Sequence, residues 1–398
     1  MIEKGCSTAE NVESLPEKMP DAWENWEAGD TLREKIYGKN RTFAADVWFR
    51  FRHKTSALIG LIVIFLLTLF AFVGPLFTEH TYDRQNLDYA NLPPFLKVHE
   101  VNGTRYYVTQ GLKLLPFDED GNLEEALSGG SEDLVERSLL FETKDGPLKL
   151  FYAEKPQRLE DASGAPAAVK KVWNPEYPLG SDMLGRDIMA RLMFGTRVSL
   201  FVALVATLVN MTIGIVYGGI SGYVGGMTDI IMMRIVDIIS TIPLTLYVIL
   251  LMVFLDSGLL SIVVALSSVY WVTMAQVVRG QVFAMKDQEF VLAAKTIGSS
   301  ARTILLRHAL PNMMGPILVT ATMLIPSAIF MEAFLSFIGL GIAPPMASLG
   351  TMCNDSIQTL KSAPYQLFLP SLVICIIMFS FNYVGDGLRD ALDPKLKK

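Results

Sequence analysis

SALIGLIVIFLLTLFAFVGPLF, residues 56–77, decides how the rest of the sequence is read. The run carries no charge over 22 residues, close to the ~20 that a helix rising ~1.5 Å per residue needs to cross a bilayer core. Hydrocarbon offers no hydrogen-bond partner to a free N–H or C=O, so a single segment of this kind satisfies its backbone only as a helix. A largely polar stretch of 55 residues precedes it and no small-residue cleavage pattern follows. It therefore reads as a retained anchor rather than a removed leader.

Working outward, Arg41, Arg50, Arg52 and Lys54 stand just before the run, and Glu79 and Asp83 just after it. The excess of basic residues on cytoplasmic flanks puts the N-terminus inside. Five further apolar blocks, at 198–221, 230–255, 259–279, 313–338 and 366–385, have spanning length. Six crossings return the C-terminus to the cytoplasm, where the chain ends in Lys395, Lys397 and Lys398. The loop between spans four and five carries Lys286, Lys295, Arg302 and Arg307 against Asp287 and Glu289, again on the inner side. Residues 281–312 are thus expected inside, and 78–197 and 341–365 outside. Arg186, Arg191 and Arg197 run against the rule, and Ser181 to Leu200 is read as an amphipathic interfacial helix with snorkelling arginines.

The sequence divides into a cytoplasmic N-terminal segment (1–55), the first span (56–77), an insert (78–176) and a helical core (177–398). Trp23 and Trp26 in the leader suggest a weakly ordered or amphipathic surface segment. The insert is far longer than a connector needs. Asn102-Gly103 and Asp145-Gly146 are turn signals flanked by strand-like runs, Lys97–Val101 with Arg105–Thr109 and Leu139–Thr143 with Leu148–Ala153, which predicts two hairpins. Between 78 and 175 stand 17 Asp and Glu against 11 Lys and Arg, a balance of −6 that equals the net charge of the whole chain.

Overall, 51% of residues are hydrophobic and 19% charged, and the apolar ones gather into blocks rather than at helical or strand spacing. Cys6, Cys353 and Cys375 fall in unrelated contexts, as do His53, His80, His99 and His308, so neither a disulfide framework nor a metal site is expected. Neither a phosphate-binding GxxxxGK[ST] loop nor a GxSxG elbow occurs. The chain is read as a transport subunit without catalysis, cofactor or nucleic-acid partner.

EFVLAAKTIGSSARTILLRHALPN, residues 289–312, lies in the inner loop and resembles the coupling signature of ATP-binding cassette importer permeases. Glu289 opens the stretch, and the matching positions are Ala293, Ala294, Gly298, Leu310 and Pro311. Leu292 stands where the family has glutamate and His308 where it has isoleucine. In physical terms this is a short helix, a glycine bend and a second helix ended by proline, a knob for a partner's groove. The runs YPLGSDMLGRDIMARLMFGTRVSL (177–200), GYVGGMTDIIMMRIVDIISTIP (222–243), FLSFIGLGIAPP (334–345) and FNYVGDGLRDALDP (381–394) narrow the resemblance to the C-type permease of oligopeptide and dipeptide importers. It covers nearly everything from residue 41 onward except the insert.

The resemblance implies an all-α membrane protein of the type I importer permease kind with six transmembrane helices, to which the turn signals at Asn102-Gly103 and Asp145-Gly146 add a small β-containing extracytoplasmic insert between helices 1 and 2. It further implies a homologous second permease, two cytoplasmic ATPases docked on the loop, and an extracytoplasmic peptide-binding protein. A nickel chelate or glutathione remains open as cargo. Two other classes compete with this reading: a secondary transporter, against which stands the lack of a clear internal repeat, and a membrane-anchored sensor, for which five further spans are superfluous.

Three charges call for a role. Arg234 and Asp237, three apart on one helix face, read either as a structural pair or as a contact with a partner. Glu332 follows Asn312 by twenty residues, hence ~30 Å along a helix; an outer gate or binding-protein contact stands beside a helix-end role at Gly339-Leu340-Gly341. Pro243, Pro316 and Pro326 are candidate kinks, and Gly222, Gly225 and Gly226 a tight turn between spans two and three.

Overall fold

The computed structural model describes residues 42–117, 124–143, 146–153, 157–256 and 258–392. The expectations for the leader and for Arg41, Asp145 and the terminal lysines lie outside these residues. The chain divides into two compact units, 1–46 and 47–398.

Helices α1 (Phe43–His53) and α2 (Thr55–Val73) open the chain, and α3 (Ile188–Val224) follows the insert. Then come α4 (Gly226–Thr241), α5 (Leu244–Phe254), α6 (Leu259–Ser267) and α7 (Trp271–Met285). After α8 (Glu289–Thr296), α9 (Ala301–Thr303) leads through a π-helix (Ile304–Ala309) into α10 (Leu310–Asn312). Helices α11 (Met314–Phe337), α12 (Leu349–Asp355) and α13 (Tyr365–Leu392) complete the core. Among the described residues, five helical stretches are long and apolar enough to cross a membrane, or six if α4 and α5 count as one.

That pair corrects the expected third span. Helices α4 and α5 meet at 86°, because Pro243 has no N–H to continue the ladder and Ile242 before it is held extended, at φ −76° and ψ 127°. Helix α3 corrects the second span: it begins at Ile188, where the Asp187 carboxylate accepts from the N–H groups of Met189 and Ala190 at 3.1 Å each. Ser181 to Leu200 is therefore not an interfacial helix. Arg186 and Arg191 are buried, and Arg197 donates to the Ala71 carbonyl at 2.9 Å with its guanidinium over Phe72.

Small residues let the helices close. Gly214, Gly218 and Gly222 repeat every fourth residue along α3 and face α7; a Cβ at Gly218 would lie 2.3 Å from the Ala275 carbonyl oxygen. Gly222 is thus a packing residue inside α3. The tight turn belongs to Gly225 and Gly226, at φ 69° and 57°. Helix α2 is closed on α13 in the same way, with Gly60 beneath Ser380 and Gly387 against Ala57.

Between α2 and α3 the insert forms two four-stranded antiparallel sheets. The first runs β3 (Leu114–Phe117), β2 (Thr104–Val108), β1 (Phe95–Val101), β8 (Ala168–Trp173). The second runs β4 (Ser131–Asp133), β5 (Ser138–Thr143), β6 (Gly146–Phe151), β7 (Arg158–Glu160). Asn102 and Gly103, at φ 49° and 90°, join β1 to β2 in the geometry a two-residue hairpin favours. Val101, Tyr106, Val108 and Leu114 of the first sheet pack on Phe141, Leu148, Leu150 and Leu159 of the second. Leu96 and Val98, on the opposite face, pack with Leu92 and Tyr177.

The insert is fastened to the core. Tyr365 Oη donates to the Leu92 carbonyl at 2.8 Å, and Gln366 Nε2 donates to Asn91 Oδ1 and to the Ser181 carbonyl at 2.9 Å each. Gly185, at φ 71°, passes so close to Asn86 that a Cβ would lie 1.7 Å from its carbonyl oxygen. Any side chain there would force the loop away.

Candidate functional site

The stretch 289–312 forms a helix–turn–helix knob. Helix α8 ends in a six-residue hydrogen-bonded reversal: Ser299 N–H donates to the Ala294 carbonyl at 3.0 Å and Gly298 N–H to that of Lys295 at 2.9 Å. Gly298 sits at φ 85°, in the left-handed region this closure requires. Ser300 then caps the next helix, its Oγ accepting from Thr303 N–H at 3.2 Å. Inside the knob Val291 and Ala294 bury against Ile304, with Tyr223 of α3 beside them.

The two alanines have different roles. Ala294 is buried and lets α8 close on the second helix, whereas Ala293 faces out. Glu289 begins α8 on the exposed side, Leu310 is half-buried and Pro311 exposed. Large apolar side chains lie outside: Ile297 is 84% exposed, and Phe290, Leu292 and Leu306 are exposed as well. Leu292, where the resembled family carries glutamate, enlarges this apolar face. Pro311 does not end the second helix, correcting the expectation. The chain widens into the π-helix, continues through Pro311 to Asn312, and α11 starts at Met314.

The knob is tied to the long helices. Arg279 of α7 donates to Asp229 of α4, Nε to Oδ1 at 3.0 Å with Nη2 on the second oxygen, while Ser221 of α3 donates to the same carboxylate. One buried carboxylate thus fixes three helices next to the loop that bears α8. The sequence reading missed this triad, since Asp229 and Arg279 are 50 residues apart.

Arg234 and Asp237 do stand together, at 3.5 Å, with side chains 76% and 56% exposed. Glu332 is fully buried. Its carboxylate accepts from Ser199 Oγ of α3 at 2.7 Å and from Ser336 Oγ at 2.9 Å. A direct contact of Glu332 with a protein outside the bundle is not available in this conformation. It joins α3 to α11.

A second cluster went unread. Arg186 Nε donates to Asp182 at 2.7 Å and its Nη2 to Asp355 at 3.1 Å; Arg191 donates to both carboxylates, to Asp355 at 3.0 Å. Two cations and two anions close a neutral ring joining the start of α3 to the end of α12. The signal available in the sequence was the GSD…GRD…R spacing of 180–191. The partner Asp355 was beyond its reach.

The family described as "Binding-protein-dependent transport system inner membrane component" matches residues 214–398. The "N-terminal TM domain of oligopeptide transport permease C" matches residues 42–94. The oligopeptide transport system permease protein OppC of Bacillus subtilis is 38% identical over 371 residues, 93% of this chain and 95% of that protein. The dipeptide transport system permease protein DppC of the same organism is 35% identical over 388 residues, 96% and 95% of the two chains. With such coverage the likeness extends through the insert, beyond what the motifs alone implied. The glutathione transport system permease protein GsiD of Pectobacterium atrosepticum is 41% identical over 219 residues, 55% of this chain and 73% of that one. By these matches, and by apolar helices that make it a multi-pass membrane protein, the chain belongs to the permease subunits of peptide ATP-binding cassette transport systems.

Proposed function

We propose that this chain is the importing permease of a binding-protein-dependent system for oligopeptides or dipeptides. It pairs with a homologous second permease and receives force from two cytoplasmic ATPases through residues 289–312. The observation that carries the reading is the knob: a tightly capped turn presenting Phe290, Leu292, Ile297 and Leu306 to the outside, a surface that an isolated soluble loop would not maintain. The kinship with OppC and DppC supports peptide as cargo. In operation, closure of the ATPases displaces the knob, and the Asp229–Arg279–Ser221 triad carries the displacement into α3, α4 and α7, switching the bundle between inward- and outward-open states.

In this reading α4 and α5 together make one crossing, giving six, with both termini and the knob cytoplasmic and the β insert extracytoplasmic facing the peptide-binding protein. The basic flanks of the first span and of 281–312 support that orientation. Its test is twofold. An impermeant thiol reagent should label a cysteine at Ser131 in intact cells and spare one at Ser300. Peptide uptake in vesicles containing the assembled complex should disappear in Ile297→Glu while the two permeases still co-purify. Labelling at Ser300 from outside overturns the topology, and unimpaired uptake by Ile297→Glu overturns the docking role.

A further inference from the structure

The first sheet of the insert has a face that changes character along one strand. In β1, residues 95, 97, 99 and 101 point to the same side. Val101 is buried under the second sheet together with Tyr106. Towards the other end of β1 the second sheet no longer covers this face, and a groove of about 570 Å³ opens, lined by Phe95, Lys97, His99 and Lys171 with Gln110 and Gln157 on its walls.

Three observations single this groove out. Lys97 and Lys171 are direct cross-strand partners, an arrangement of like charges that weakens a sheet, with Lys171 Nζ over the Phe95 ring at 4.9 Å. Elsewhere on the same strands the charges are matched: Glu100 pairs with Lys170 on the opposite face. Among the described residues no Asp or Glu lines the groove, although the insert as a whole is acidic. Finally, His99 is only 6% exposed and its Nδ1 has no hydrogen-bond partner, which a buried polar atom in a finished core rarely lacks. Burial also holds the imidazole below its ordinary pKa, so the ring is neutral and has an N–H to offer.

We propose that this groove is a binding site for a small carboxylate-bearing molecule, of which the free C-terminus of a short peptide is the class that fits. The carboxylate sits between the Lys97 and Lys171 ammonium groups. His99 donates to it from the floor, and Phe95 with Val108 and Val169 offers an apolar wall to the neighbouring side chain. Gln110 and Gln157 provide amide groups that match a peptide backbone. The choice of a peptide among carboxylates rests on the transport reading above; the anion site itself rests on the groove alone.

Titration calorimetry on the full chain in lipid nanodiscs tests it, with Ala-Phe-Ala as probe beside its C-terminal amide and sodium acetate. The free acid should bind, the amide about tenfold more weakly, as the loss of one charge-assisted hydrogen bond predicts. Lys97→Gln and Lys171→Gln should each weaken the free acid by about tenfold, and the double variant should lose it, all with unchanged thermal unfolding. Equal binding of acid and amide, or unchanged binding in the double variant, overturns the site. Acetate competing at the same concentration as the tripeptide overturns the assignment to peptides. These readouts are independent of uptake by the assembled complex, so a failed transport reading and a failed groove are told apart.

Discussion

The knob at 289–312 and the ring of Asp182, Arg186, Arg191 and Asp355 handle their difficult side chains in opposite ways. The knob turns large apolar groups outward and keeps its own interior to three residues, Val291, Ala294 and Ile304. The ring buries three charges, Asp182, Arg186 and Arg191, against a half-buried fourth, Asp355, and pairs them within the chain. Exposed apolar area is unfavourable until something covers it, and in the proposed assembly a partner covers the knob. A neutral buried ring is finished, and its worth is positional: it fixes where α12 sits on α3.

Breaking the ring should have the largest effect. Asp182→Ala leaves two buried guanidinium groups sharing one carboxylate, and we expect a loss of about 3–5 kcal/mol, read as a fall in folded, monodisperse protein after detergent extraction. Normal yield and melting would show that the ring is not the fastener described. Next comes the α3–α7 seam, where Gly218→Val drives a side chain into the Ala275 carbonyl. Overpacking of this kind costs about 1–3 kcal/mol, and the melting temperature of the purified chain should fall accordingly.

Smaller changes sharpen the contrast from the knob's side. Gly298→Asp forces a side chain into the left-handed region, a penalty of about 1–2 kcal/mol confined to the turn. Insertion should survive while ATPase co-purification and transport drop; retained attachment would mean the turn is not the docking element. Ile297→Glu should alter stability by less than about 0.5 kcal/mol because the residue has almost no intramolecular packing, yet abolish coupling. At the bottom of the scale, Asp237→Asn breaks an exposed pair with Arg234 and should change stability by less than about 0.5 kcal/mol. A transport defect with unchanged stability would assign Asp237 to a partner contact.

Much of the knob was legible. The four-residue step from Ala294 to Gly298 is a local pattern, and local hydrogen bonds realise it, whereas the helix end expected at Pro311 does not form there. Which alanine faces inward was not, because that depends on Ile304 arriving from the second helix. The ring was misread for a similar reason. Arg186 and Arg191 precede an apolar block, and on hydropathy alone an arginine there snorkels; Asp355, 164 residues on, keeps Arg191 inside.

By itself the sequence determined that the chain crosses a membrane on long helices, that two hairpins fall in the stretch between the first two spans, and that a loop with a glycine bend follows the fourth span. Each of these follows from period, length or turn chemistry within a few residues. Only the tertiary structure decided that the candidate kink at Pro243 is a full break of 86°, that Glu332 is enclosed by serines, that Gly222 packs rather than turns, and that Lys97 faces Lys171 across an open groove. Those outcomes depend on contacts between residues far apart in the chain, and the free energy of burying or pairing a charge is set by the neighbours that folding brings to it.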